Sequence, residues 1–142
     1  MNLFFNFRNR SLVNISLSSF GLNPFSLHVV RDDMLHPFVS GNKFRKLKYN
    51  IQFAKANGYE TLLTFGGAFS NHIAAVAAAG KELNFKTIGI IRGEELESKI
   101  YENTTLSFAQ DCGMKLHFIS REAYRQKTET KFINHLKEQF GD

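Results

Sequence analysis

Two stretches of this sequence bring together residue types that do covalent and anion chemistry. The first is Ser40-Gly41-Asn42-Lys43-Phe44-Arg45-Lys46-Leu47-Lys48-Tyr49-Asn50. A cap-and-turn cluster from Ser40 to Asn42 runs into apolar residues at Phe44, Leu47, Ile51 and Ala54, the spacing of one helical face. Lys43 therefore falls in the first turn of a helix, where the dipole and unpaired amides disfavour an ammonium ion. Arg45, Lys46 and Lys48 add like charge, which also favours the neutral amine. A neutral lysine amine attacks carbonyl groups. A solvated basic face is the competing reading of the same cluster.

The second stretch is Gly66-Gly67-Ala68-Phe69-Ser70-Asn71-His72. Two glycines let a backbone approach a ligand closely, Ser70 can cap a following helix, and the amides at that helix start would receive a carboxylate or phosphate. The stretch lacks both the Gly-Lys-Ser/Thr of a phosphate loop and the G-x-G-x-x-G of a dinucleotide loop. A tight strand-to-helix turn with a serine cap is the plainer alternative.

The elements that must position these residues follow from periodicity. Leu27 to Val30 reads as a short strand, closed by Arg31-Asp32-Asp33 and the Pro37 loop. Gly58 should end the Lys43 helix. Beyond it strands and helices alternate: strand Thr61 to Phe65, helix Asn71 to Asn84, strand Lys86 to Ile91, helix Glu97 to Cys112, strand Met114 to Ile119 and helix Ser120 to Phe140. Strands this apolar, joined by helices, predict an α/β fold: an open parallel sheet with helices on both faces and right-handed crossovers. Ligands of such sheets collect beyond the carboxyl ends of the strands, where the Gly66 turn lies. The next such turn, Arg92-Gly93-Glu94-Glu95, reads as an acidic, solvated one. A sheet of three or four strands that stops after a helix, at Gly141-Asp142, suggests a truncated chain.

Composition narrows the partners. The 142 residues, 43% of them hydrophobic, suffice for one ordinary core, so one domain is the first expectation. A net charge of +5 could attract polyanions, yet acidic and basic residues interleave and only 22% are charged. No nucleic-acid-binding signature is present, and small anionic ligands suit the balance better. Cys112 is the only cysteine, which fits a reducing, cytoplasmic setting without disulfides. The five histidines are scattered, so no metal site is expected. Arg8 and Arg10 interrupt the Phe-rich stretch 1–9, so neither a membrane span nor a signal peptide is expected. Triplets at Asn9, Asn14 and Asn103 match the glycosylation pattern, which has meaning only in a secreted chain.

Taken together, an amine-bearing helix start and an anion-receiving one suggest a site for a carbonyl cofactor and an amino acid. The paired motifs, Ser40-Gly41-Asn42-Lys43-x-Arg45-Lys46-Leu47-Lys48-Tyr49-Asn50 and Gly66-Gly67-x-x-Ser70-Asn71-His72, resemble the 1-aminocyclopropane-1-carboxylate deaminase and D-cysteine desulfhydrase family. The resemblance runs from about Leu27 to the end of the chain. It implies a pyridoxal-phosphate enzyme of the tryptophan synthase β-like fold (type II). Residues 1–52 would be the N-terminal part of its large domain and 53–142 its small α/β domain, with the cleft between them and the rest of the large domain absent. Lys43 matches the lysine that carries the cofactor, and Lys46 a lysine near the cofactor phosphate. Asn71 matches the partner of the cofactor's ring hydroxyl and a substrate contact. Ser70 matches the residue that meets the substrate carboxylate or assists proton transfer, and His72 takes a supporting contact where some relatives carry Gln. The implied reaction is deamination or α,β-elimination of a small amino acid to a 2-oxo acid and ammonia, by a homodimer when full length. Because relatives continue well past residue 142, the isolated chain is expected to be inactive. The rival expectations are a non-catalytic α/β anion-binding module or gene remnant and, further off, a nucleotide-binding domain.

Overall fold

A computed structural model gives the fold over residues 11–22 and 25–141; the Phe-rich stretch 1–9, the Asn9 triplet and Asp142 lie outside the described residues. The chain divides into two compact units, Met1–Glu60 and Thr61–Asp142.

In the first unit, β1 (Leu12–Ser16) pairs antiparallel with β2 (Ser26–Val30) in the register Leu12↔Val30 to Ser16↔Ser26. β2 is the strand expected at Leu27 to Val30, and β1 was not foreseen. A single 3-10 turn at Asp32–Met34 follows. The long helix α1 (Gly41–Ala56) then buries Phe44, Leu47, Ile51 and Ala54, the stripe its spacing predicts. It ends where expected, because Gly58 takes the left-handed φ of +74° and lets Tyr59 N–H reach back to the Ala54 carbonyl at 2.9 Å.

The second unit is the parallel sheet. β3 (Thr61–Gly67), β4 (Lys86–Arg92) and β5 (Lys115–Ile119) lie in the order β3-β4-β5, with Thr61↔Lys86 and Ile88↔Lys115 in register. Helix α2 (Asn71–Leu83) packs on one face so closely that a side-chain carbon at Gly80 would collide with the Thr87 methyl. On the other face Ile88 and Ile90 bury against Leu136, with Phe65, Ile119, Phe132 and Phe140 around them. Neighbouring residues of β4 thus point to opposite helical layers, as the alternation of a strand requires. The expected α/β architecture, helices on both faces of an open parallel sheet, is the one observed.

Two expected helices are each broken. The segment read as one helix over Glu97 to Cys112 is a 3-10 stretch, Glu94–Glu102, followed by α3 (Thr104–Asp111). Asn103 causes the break: its backbone is extended, and its Oδ1 accepts from Thr105 N and Leu106 N at 3.0 Å each, starting a new helix. Asn103 is 8% exposed, so the third glycosylation triplet is a buried helix cap. The segment Ser120 to Phe140 is α4 (Arg121–Arg125) and α5 (Thr130–Phe140). Between Tyr124 and Phe132 no apolar side chain is available to pack a helical turn, so the chain closes in hydrogen-bonded turns there.

Candidate functional site

The candidate residues fall in both units: Lys43 and Lys46 in the first, Ser70, Asn71 and His72 in the second. Lys43 is the third residue of α1, half-buried, and its Nζ donates to Asn42 Oδ1 at 3.0 Å. Its neighbour Phe44 is 1% exposed and anchors the first turn. Ser40 precedes the helix without capping it. Its side chain accepts no helix amide, and its backbone carbonyl takes Lys43 N–H at 3.2 Å instead. The expected crowding of Lys43 by like charge is also reduced, since Arg45 Nε donates to Asp32 Oδ2 at 2.6 Å. Lys46 is exposed. Ahead of the helix, His36 Nδ1 accepts from Val39 N at 3.0 Å and Phe38 N at 3.2 Å, which holds the loop entering α1 and places the ring proton on Nε2. That role for His36 had no sequence signal beyond a histidine before a loop.

In the second unit the Gly66–Gly67 end of β3 turns directly into α2. Ser70 caps it as expected, its Oγ accepting from His72 N at 3.3 Å and Ile73 N at 3.4 Å. Both bonds use the oxygen as acceptor, so the Ser70 O–H keeps its hydrogen to donate to a ligand. Asn71 is exposed and His72 half-buried at the helix start, while Phe69 projects with 82% of its surface exposed. Gly66 is required by packing: a side-chain carbon there would lie 2.9 Å from Ile73 Cδ1 and 3.0 Å from Ser70 Cβ. At Gly67 the same atom would meet nothing nearer than Arg92 Nη2 at 3.7 Å, so the backbone there is open to approach.

Arg92 is the feature that sequence reasoning assigned to a solvated acidic turn. Gly67, Arg92 and Ile119 are register partners, a row across the carboxyl edge of the sheet. The Arg92 guanidinium lies 5.7 Å from the centre of the Tyr124 ring, and Lys127 Nζ lies 4.8 Å from it. The acidic character of the turn is spent elsewhere, because Arg121 Nη2 donates to Glu95 Oε1 at 2.7 Å and holds the Glu95 carboxyl below the usual range. Burial raises the Tyr124 phenol above its usual value, against the pull of Arg92. The position of Arg92, directly after the apolar run of β4, was the available signal.

A separate apolar cavity of about 220 Å³ lies between β3, β4 and α5, lined by Thr61, Leu63, Ile88, Leu136 and Phe140 among others. It sits toward the amino ends of the strands, away from the Gly66 turn. Among the described residues no group of three His, Cys, Asp or Glu side chains could hold a metal ion. No described helix is long and apolar enough to cross a membrane.

An open parallel sheet with a glycine turn, a serine-capped helix start and a cation at its carboxyl edge belongs to the α/β class. The comparisons with known proteins make it more particular. The chain is 33% identical over 120 residues to the bifunctional D-cysteine desulfhydrase/1-aminocyclopropane-1-carboxylate deaminase of Arabidopsis thaliana, covering 82% of this chain and 29% of that protein. It is 35% identical over 89 residues to a Pyrococcus abyssi protein named "Putative 1-aminocyclopropane-1-carboxylate deaminase", covering 54% of this chain and 27% of the relative. A crystal structure of an ACC deaminase homologue superposes with a TM-score of 0.63 at 24% identity over 87% of this chain and 36% of that one, and shares the fold. No protein-family model matches the chain. The chain is therefore a homologue of proteins named for these two activities, and it spans less than a third of the length of the two curated relatives.

Proposed function

We propose that this chain carries part of the site of a pyridoxal-phosphate enzyme that deaminates a small amino acid or eliminates its β-substituent, leaving a 2-oxo acid and ammonia. The observation that carries the reading is the placement of Lys43: a half-buried amine in the first turn of a helix whose apolar stripe is fully buried. In this reading half-buried Lys43 would supply the amine for the cofactor's aldehyde carbon, exposed Lys46 a cation for its phosphate, and exposed Asn71 an amide for its ring hydroxyl. When bound, pyridoxal phosphate supplies the electron sink for breaking bonds at the amino acid's α-carbon. The protein's share is orientation and proton handling. Ser70 caps α2 through its oxygen, so its hydrogen would be available to the substrate carboxylate, and His72 would support that contact.

The substrate class is 1-aminocyclopropane-1-carboxylate or D-cysteine, in line with the names of the relatives. Reaction class, lyase or hydrolase, follows from which of the two is used. The lone Cys112 favours a cytoplasmic setting. The chain spans under a third of those relatives, so turnover and a homodimeric state are proposed for a protein of their length.

The test is covalent labelling. The chain is incubated with pyridoxal phosphate, reduced with borohydride, and the phosphopyridoxyl group located by mass spectrometry. Label concentrated on Lys43 supports the reading. Label spread evenly over exposed lysines overturns it and favours the non-catalytic anion-binding module.

A further inference from the structure

The carboxyl edge of the sheet holds a concentration of positive charge that the proposed reaction has not used. Arg92 ends β4 in register with Gly67, and its Nη2 lies where a Gly67 side chain would otherwise approach. Lys127, from the turn after α4, comes to the same Tyr124 ring at 4.8 Å, with Arg92 at 5.7 Å. Phe65 closes on that ring edge-on, at 6.2 Å between centres. Two cations gathered round one aromatic ring repel each other, and the ring's negative face offsets only part of that repulsion. Of the carboxylates close in sequence, Glu94, Glu95 and Glu122, Glu95 pairs with Arg121. No carboxylate among the described residues pairs with Arg92. Beside the guanidinium the backbone of Gly67 is open, with no other heavy atom near the place a side-chain carbon would take.

We propose that Arg92, supported by Tyr124 and Lys127, is a substrate-reading residue whose guanidinium pairs with a carboxylate of the amino-acid substrate beside Gly67. The inference rests on the amino-acid reading given above and adds to it a residue outside the Ser70-Asn71-His72 turn. A guanidinium offers a planar fork of donors that matches a carboxylate's two oxygens, which a lysine does not. Stacking over Tyr124 pre-orients that fork and lowers the entropy lost on binding. The carboxylate is either the one on the α-carbon or one on the side chain, and the two sources separate by experiment.

The full 142-residue chain, without cofactor, is titrated with D-alanine and with D-aspartate while the Arg92 Nε–Hε and Gly67 amide signals are followed by NMR. Both signals are expected to shift saturably with at least one of the two acids. Arg92→Gln is expected to weaken that binding about tenfold, the order of one exposed charge-assisted pair, and Arg92→Lys to recover part of it. Weakening for both acids assigns the α-carboxylate; weakening for D-aspartate alone assigns a side-chain acid. Binding unchanged in Arg92→Gln, or no saturable shift at Arg92, overturns the proposal. Circular dichroism of each variant excludes unfolding as the cause. Borohydride labelling of Lys43 is an independent readout: its failure with Arg92 binding intact sinks the cofactor reading alone, and the reverse sinks only the role of Arg92.

Discussion

Ser70 and Ser40 are the same residue type placed before two helices, yet only one of them caps. At Ser70 the backbone is extended and the following Asn71 and His72 are ordinary helical residues, so Oγ reaches the amides of His72 and Ile73. At Ser40 the next residue is Gly41 with φ +55°, a left-handed turn that carries the first helical amides away from the side chain. A cap between near neighbours was legible in the sequence at Ser70; the glycine that spoils it at Ser40 was legible only as a turn former. Ser70→Ala is therefore expected to lose about 1 kcal/mol in urea denaturation, a lost cap, and a variant as stable as the parent would show the bonds to be idle. Lys43→Ala removes a half-buried amine without touching the buried stripe at Phe44 and Leu47. Unchanged circular dichroism together with loss of the borohydride label at that position is the expected result. Cys112 is partly sheltered, and burial pushes its thiol above the ordinary value, with Asp111 adding to the rise and Lys81 opposing it. Since the thiolate is the reactive form, iodoacetamide should modify Cys112 more slowly at pH 7 than it modifies glutathione, and the gap should narrow as the pH rises through the raised value.

Whether an element was legible depended on what fixes its ends. β3, β4 and β5 were located to within two residues because short apolar runs between turn signals read as strands, although only the central β4 is buried along most of its length. The two misread helices share a different cause. Their apolar periodicity continues past a local feature, the Asn103 cap in one and the polar stretch Arg125 to Lys131 in the other, and period alone does not register a restart. The antiparallel β1 was missed because Asn14 and Ser16 interrupt its own apolar run and all five of its residues are exposed, so it carries no core-strand signal. Within the candidate site, the turn that joins β3 to α2 shows how two adjacent glycines divide their work. Gly66→Ala would drive a methyl group into the fully buried Ile73 and the base of Ser70, an overpacking expected to cost about 1–3 kcal/mol. Gly67→Ala meets only ordinary contact distance to Arg92 and should change stability by no more than about 0.5 kcal/mol, while placing a methyl where a ligand would approach. Thermal unfolding of the pair, with anion binding measured alongside, separates the two roles. If Gly67→Ala is the more destabilising of the two, the packing account of the turn is wrong.

At the scale of the molecule, several large aromatic side chains stand in solvent. Phe20, Phe25, Phe53, Phe69 and Tyr101 are each more than 60% exposed. β3 stands at the edge of the three-stranded sheet, with its outer row of amides and carbonyls unpaired by β4. Leu63 lies on that strand, 37% exposed, and lines the apolar cavity against α5. An open strand edge beside an apolar groove is a template for pairing with another strand, and the edge carries no inward lysine or proline to block it. The 142-residue chain is thus expected to self-associate with rising concentration, seen as increasing mass in sedimentation velocity and as bound hydrophobic dye. Because apolar burial drives it, added salt should not dissolve the assemblies, whereas it would dissolve ones held by exposed ion pairs. Leu63→Lys places a charge on the inward face of the edge strand, the device natural sheets use against such pairing, and should restore monomer behaviour. Phe69→Ser alters an equally apolar surface at the opposite end of β3 and serves as the control. If Phe69→Ser abolishes association and Leu63→Lys leaves it intact, the carboxyl edge of the sheet, rather than the strand edge, is the adhesive surface.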